Sequence, residues 1–146
     1  MAGARKAVLA VDHGSKRTGF AATDALRIAT RPLEVWQGPG DSAALVGRVA
    51  ELVEELEADT VLVGLPLNMD GTRGPRARDV ERFLERLAAR IPGVALIPRD
   101  ERLTTKAAEE LLREAGFDLR NMRARRDSWS ALVVLRDWLE AGEPRA

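Results

Sequence analysis

Three short apolar runs, separated by stretches of helical periodicity, constrain this chain more than any other feature of its sequence. Ala7-Val8-Leu9-Ala10-Val11, Thr60-Val61-Leu62-Val63-Gly64-Leu65-Pro66 and Val94-Ala95-Leu96-Ile97-Pro98 each have the length and composition of a buried strand. Between the last two, Val80, Phe83, Leu84 and Leu87 recur at helical spacing before the Pro92-Gly93 break. Before the middle run, Leu45, Val49, Leu52, Val53 and Leu56 do the same. Strands joined through helices must run parallel, by right-handed crossovers. Residues 7–12, 60–66 and 94–98 are therefore expected to end at one shared edge of a sheet.

The rest of the N-terminal region reads differently. Residues 18–24 form a second strand after a tight connection. A third, over 28–36, is broken by Pro32, which suits a sheet edge. Connections this short imply an antiparallel meander. Gly38-Pro39-Gly40-Asp41 is a turn ending in a helix N-cap, and Gly47 inside the first helix costs about 1 kcal/mol against alanine. A helix from 105 to 115, a basic loop and a final helix from 127 to 141 complete the chain. The expected order is βββαβαβα with a further helix: an α/β fold with a mixed five-stranded sheet and helices on both faces, matching the ribonuclease H-like arrangement. At 146 residues it is expected to be one domain, residues 1–146.

Open α/β sheets bind ligands where their parallel strands end. Asp12 closes the first strand there and Asp100-Glu101 closes the fifth. A buried strand has no reason to end on a carboxylate unless that edge needs negative charge. Asp127 lies four residues before Ala131 and seven before Val134, on the inward face of the last helix. It reads either as that helix's cap or as a third carboxylate directed at the same edge. Two like charges about 4 Å apart repel by about 4 kcal/mol at an effective dielectric of 20, so these carboxylates either surround a cation or do not truly converge. With no cysteine and a single histidine in the chain, that cation would be held by oxygen, which points to Mg²⁺ or Mn²⁺.

The net charge is zero, but cations gather in three places: Lys16 and Arg17; Arg73, Arg76 and Arg78; and Arg120, Arg123, Arg125 and Arg126. Such clusters bind polyanions locally, or are simply solvated arginines. Arg102 could orient Glu101 or bind phosphate. Thr104 and Thr105 read as the cap of the following helix. With no tyrosine, and with Trp129 and Trp138 placed as core or interface residues, recognition would follow shape and backbone rather than base stacking. No apolar stretch is long enough to span a membrane and the N-terminus lacks the core of a secretion signal, so a cytoplasmic protein is expected.

Four motifs in order, V-D-H-G-S-K-R-T-G-F-A-A-T-D, V-G-L-P-L-N-M-D-G, D-E-R-L-T-T and R-D-S-W-S-A-L-V-V-L, resemble the YqgF (RuvX) family, the pre-16S rRNA nuclease and Holliday junction resolvase-like family. The resemblance runs from Val8 to Leu139. It implies a fold related to the RuvC resolvase and metal-dependent phosphodiester cleavage by Mg²⁺ or Mn²⁺. Processing of the 5′ end of precursor 16S rRNA, in ribosome biogenesis, is the implied role. It places catalytic and metal-binding carboxylates at Asp12, Glu101 and Asp127, with Asp100 as neighbour or substitute. Lys16, Arg17, Arg73, Arg76, Arg102, Arg120, Arg123, Arg125 and Arg126 are then the expected nucleic-acid contacts, with structured RNA favoured over branched DNA, on a monomer or homodimer.

Two positions depart from the family pattern. His13 stands where an aromatic or aliphatic residue is expected, and strand alternation turns it from Asp12 toward packing or hydrogen bonding. Ser130 stands where resolvases carry a second C-terminal acid. Two other functions compete with nuclease activity on RNA: a Holliday junction resolvase acting on branched DNA, and a non-catalytic RNA-binding assembly factor. A phosphotransferase is a weaker alternative. Asp-x-Gly-Ser is similar to the phosphate loop of the actin and hexokinase superfamily, but those proteins close two such domains around ATP.

Overall fold

The computed structural model describes residues 5–102, 106–107, 110, 113–114, 116 and 119–145, and for 119–127 it describes the backbone. Its elements are β1 (Ala7–Asp12), β2 (Arg17–Thr23), β3 (Thr30–Gln37), α1 (Ala43–Leu56), β4 (Ala58–Leu65), α2 (Pro75–Arg90), β5 (Ala95–Asp100) and α3 (Leu119–Glu140). Lys106, Ala107, Glu110, Arg113 and Glu114 have helical backbone within the helix expected over 105–115. Thr104 and Thr105 lie outside the described residues.

One five-stranded sheet runs in the order β3-β2-β1-β4-β5. β1 pairs antiparallel with β2 and parallel with β4, and β4 pairs parallel with β5. β3, carrying Pro32, is the edge strand beyond β2. Alternation along the central strands gives two apolar faces. Leu9, Val11, Val61 and Val63 pack with Leu45, Val49 and Leu52 of α1 and Val80, Phe83 and Leu87 of α2. Val8, Ala10, Leu62 and Ile97 pack with Ala131, Leu132, Val134, Leu135 and Trp138 of α3. The helices lie on both faces, as the sequence pattern requires.

α3 is locked to the meander by Ser128, whose buried hydroxyl shares its one proton between Leu33 O at 2.7 Å and Phe20 O at 3.0 Å. At the end of the sheet opposite the candidate site, the largely buried Arg27 ties three segments together. It donates to Lys6 O (2.9 Å) and Asp59 (2.8 Å) and pairs with Glu143.

Three expectations are corrected. α1 is capped by Ser42, one residue past Asp41, and its side chain accepts from Leu45 N at 3.3 Å. The last helix begins at Leu119, eight residues before Asp127, so Asp127 is not its N-cap and Arg120, Arg123, Arg125 and Arg126 lie on a helix rather than in a loop. The run from Leu119 to Arg126 is mostly Leu, Arg, Met and Ala, all strong helix formers, with no Gly or Pro to stop it. Arg76 and Arg78, expected with Arg73 on a loop beside the site, fall in the first turns of α2, which Pro75 opens, while Arg73 stays in the preceding loop.

Candidate active site

Asp12 is the last residue of β1 and shares its face with Val8 and Ala10, the face packed on α3. On β5 that face carries Ile97 and Arg99, the latter paired with Asp137 of α3 at 2.9 Å. Glu101 follows on the same side, held in line by its backbone N–H, which donates to Leu65 O at 3.1 Å. Between β1 and β5, β4 places Gly64 on this face. A Cβ at Gly64 would lie 2.1 Å from Glu101 Oε2. The absent side chain is therefore what lets the Glu101 carboxyl lie across β4 and reach Asp12, with which it is in hydrogen-bonding contact.

That contact has an electrostatic signature. The Glu101 carboxyl is pushed above the usual carboxylate range, first by burial and further by Asp100, against the opposing pull of its contact with Asp12 and of the Arg76 guanidinium. Two carboxyl groups so placed need either a shared proton or a cation. The donors are hard oxygens only, a set suited to Mg²⁺ or Mn²⁺. Among the described residues no group of three or more His, Asp or Glu side chains is gathered closely enough to hold a metal. The side chain of Asp127 lies outside that description. Its backbone sits one turn before Ala131, on the helix that covers the Asp12 face.

Asp100 points the other way along β5. Its carboxylate accepts from Arg102 Nε (2.8 Å), Nη2 (2.7 Å) and backbone N (3.0 Å), and these bonds hold it below the usual carboxylate range. Arg102 also donates to Met69 O at 3.3 Å, tying the 68–74 loop to the end of β5. Of the two acidic neighbours, only Glu101 is described against Asp12.

Beside Asp12 the 13–17 turn presents Lys16 and Arg17, both exposed, along a cleft of about 480 Å³ shared with Gly14, Ser15 and Gln37. Two backbone bonds pin the turn to the start of the β3–α1 connection: Gly38 N to Lys16 O and Gly40 N to Ser15 O, both 2.9 Å. A Cβ on Gly14 would meet Arg17 O at 1.9 Å, so only glycine closes this turn.

His13 faces α2. Its ring lies 4.6 Å from Phe83, and Nε2 donates to Gly40 O at 2.8 Å, which leaves Nδ1 as the acceptor facing Arg76 Nη2 at 3.4 Å. Burial, aided by the Arg76 and Arg86 charges, holds the imidazole below its ordinary pKa against the Gly40 bond, so it is neutral near pH 7. It packs and orients, away from the carboxylates. Arg76 also donates to His13 O at 2.8 Å.

The side chains of Arg120, Arg123, Arg125 and Arg126 lie outside the described residues. Arg73 is exposed and reaches Glu81 at 3.7 Å. Sequence reasoning missed Gly64, whose role depends on inter-strand register. It also missed Arg82 and Arg86, which recur with Arg76 along one side of α2.

Solved structures that superpose on this chain include resolvases, and they share its ribonuclease H-like fold. The Thermus thermophilus RuvC complex with a Holliday junction substrate superposes with a TM-score of 0.61 at 16% identity, covering 97% of this chain and 99% of that one. The Fowlpox virus resolvase complex with substrate Holliday junction DNA gives 0.62 at 11% identity, covering 94% and 99%. These likenesses define the fold.

The family is defined by sequence. The profile described as "RuvX: Holliday junction resolvase" matches residues 6–141, and the chain belongs to that family. A relative from Anaeromyxobacter sp. (strain Fw109-5), named "Putative pre-16S rRNA nuclease", is 43% identical over 132 residues, 90% of this chain and 95% of that protein. A protein of the same name from Acetivibrio thermocellus is 37% identical over 92% and 95%.

Proposed function

We propose that this chain is a metal-dependent nuclease, a single ribonuclease H-like domain that hydrolyses phosphodiester bonds at the 5′ end of precursor 16S rRNA in the cytoplasm. The observation that carries the chemistry is the contact of Asp12 with Glu101 at the edge where β1, β4 and β5 end, beside a cationic turn. The substrate is inferred from the names of the relatives that align over nearly the whole chain.

Asp12, Glu101 and Asp127 would hold one or two Mg²⁺ or Mn²⁺ ions. A divalent cation so held supplies an activated water and neutralises charge building on the phosphate and leaving oxygens. The chain's own residues do the rest. Gly64 leaves the space in which Glu101 meets Asp12. Burial of Glu101 disfavours a bare negative charge there and so favours a cation beside it. Lys16 and Arg17, on a turn that Gly14 closes and two backbone bonds hold, contact the phosphates flanking the cut. Contacts of this kind are independent of sequence and weaken steeply with salt.

Cleavage of structured precursor rRNA and of four-way junction DNA, side by side in Mg²⁺ and Mn²⁺, tests the proposal. RNA cleavage that disappears in Asp12→Ala, with the fold intact, supports it. Junction cleavage alone establishes the resolvase activity for which the family is described. Salt-sensitive RNA binding with no cleavage in either ion makes the protein a binding factor instead.

A further inference from the structure

The α2 face of the sheet edge carries a second basic feature, across the sheet from the Asp12–Glu101 pair. A cavity of about 260 Å³ opens between the 13–15 turn, Gly40–Asp41 and the side of α2 that carries Arg76, Arg82 and Arg86. The arginines are held in place, and one carboxylate is shared between two of them. Arg76 donates to His13 O at 2.8 Å and Arg86 to Asp41 O at 2.7 Å, both uncharged carbonyls. Asp79 bridges Arg76, at 3.1 Å, and Arg82 with its two oxygens.

The cavity lining thus carries three guanidinium groups against the two carboxylates of Asp41 and Asp79, an excess of one positive charge. Arg82 and Arg86 are each described with a single hydrogen bond, out of five N–H donors apiece. Exposed ion pairs of this kind add little to stability, so the fold does not explain the cluster. The floor is shaped for close approach: a Cβ on Gly40 would lie 2.2 Å from Gly14 O and 2.8 Å from His13 Nε2. Ser15 lines both this cavity and the Lys16–Arg17 cleft, so the two lie side by side across the turn.

We propose that this cavity binds a backbone phosphate of the nucleic-acid strand, away from the bond being cut, with Arg82 and Arg86 as its ligands and Arg76 joining it to the carboxylate site. Guanidinium forks match the geometry of phosphate oxygens, and the binding is independent of base identity. A strand crossing Ser15 would then be held on both faces of the sheet edge. The proposal rests on the nucleic-acid reading of the site but not on cleavage.

His13 is the sole histidine of the chain and lines the cavity, so its ring signals report on it without ambiguity. In EDTA, inorganic phosphate should shift those signals saturably, and a short single-stranded RNA should shift them at lower concentration. Arg82→Gln with Arg86→Gln should abolish the phosphate-induced shift, weaken RNA binding about tenfold and make the log affinity against log salt slope shallower by about one. Arg90→Gln, in the last turn of α2, should change none of these. Absence of a saturable phosphate shift overturns the proposal. So does a double variant that folds and binds RNA like the wild type, which leaves a site for free phosphate alone. All readouts are metal-free, so a protein that fails to cleave in Mg²⁺ defeats the nuclease reading and leaves this one standing.

Discussion

Gly64→Ala separates the architecture of the site from the stability of the fold. The new Cβ would stand 2.1 Å from Glu101 Oε2 and 3.0 Å from its Cδ. Ordinary contact requires about 3.5 Å between such atoms, so the carboxyl must retreat by more than about 1 Å. The atoms in the way are the far end of a flexible side chain, and moving them costs about 0.5–1.5 kcal/mol in rotamer strain. Alanine recovers about 0.4–1 kcal/mol by restricting the unfolded chain, because the glycine has no positive φ to protect. Stability should stay within about 1 kcal/mol of wild type, a shift of no more than about 4 °C for a domain of this size. Cleavage should fall about 100-fold, the cost of a catalytic group displaced by about 1 Å. Single-turnover cleavage beside thermal unfolding followed by circular dichroism measures both. Wild-type cleavage by a folded Gly64→Ala protein would refute the claim that Glu101 acts from across β4.

Three further outcomes follow from the same geometry. Glu101→Gln removes a carboxylate that burial disfavours, so in EDTA at pH 7 the variant should be more stable than wild type. A higher Tm than wild type is expected while cleavage is lost. The sign with pH is fixed: a raised carboxyl pKa means the folded state bears its penalty above that value. The variant's advantage should therefore shrink as pH falls and vanish well below the ordinary value of 4.5, where wild type is protonated in both states. Ser128→Ala leaves the carbonyls of Phe20 and Leu33 without their hydroxyl donor, and should cost about 1–3 kcal/mol, read as a lower urea midpoint with an unchanged slope. Arg27→Met strips the buried guanidinium from Asp59, Glu143 and Lys6 O. It should destabilise by about 2–4 kcal/mol without altering cleavage per folded molecule, because it acts at the opposite end of the sheet.

The parallel centre of the sheet was legible in the sequence because the runs at 7–12, 60–66 and 94–98 admit no other solution, and Pro32 marked the edge. Asp12 followed from its place at a strand end. The choice between Asp100 and Glu101 turned on strand parity: Ile97 faces α3, so Glu101 does too, while Asp100 turns to Arg102. The start of α3 was misplaced because Asp127 has the chemistry of a cap, and the polar residues before it lack the apolar stripe that marks a helix. Helix propensity and the absence of a breaker carry that segment instead. Gly64 could not be read, since its importance lies in a neighbouring strand's side chain. Arg82 and Arg86 look like an ordinary solvated helix face until Gly40–Asp41 and the 13–15 turn are placed opposite them.

The proposed chemistry requires carboxylates at the ends of β1 and β5 and on α3 to share a divalent cation. Mn²⁺ titration followed by water-proton relaxation, on wild type and on Asp12→Asn, Glu101→Gln and Asp127→Asn, tests that directly. Saturable binding in wild type, weakened at least tenfold in each variant, is the predicted result. Equal Mn²⁺ affinity in wild type and Asp127→Asn would contradict it.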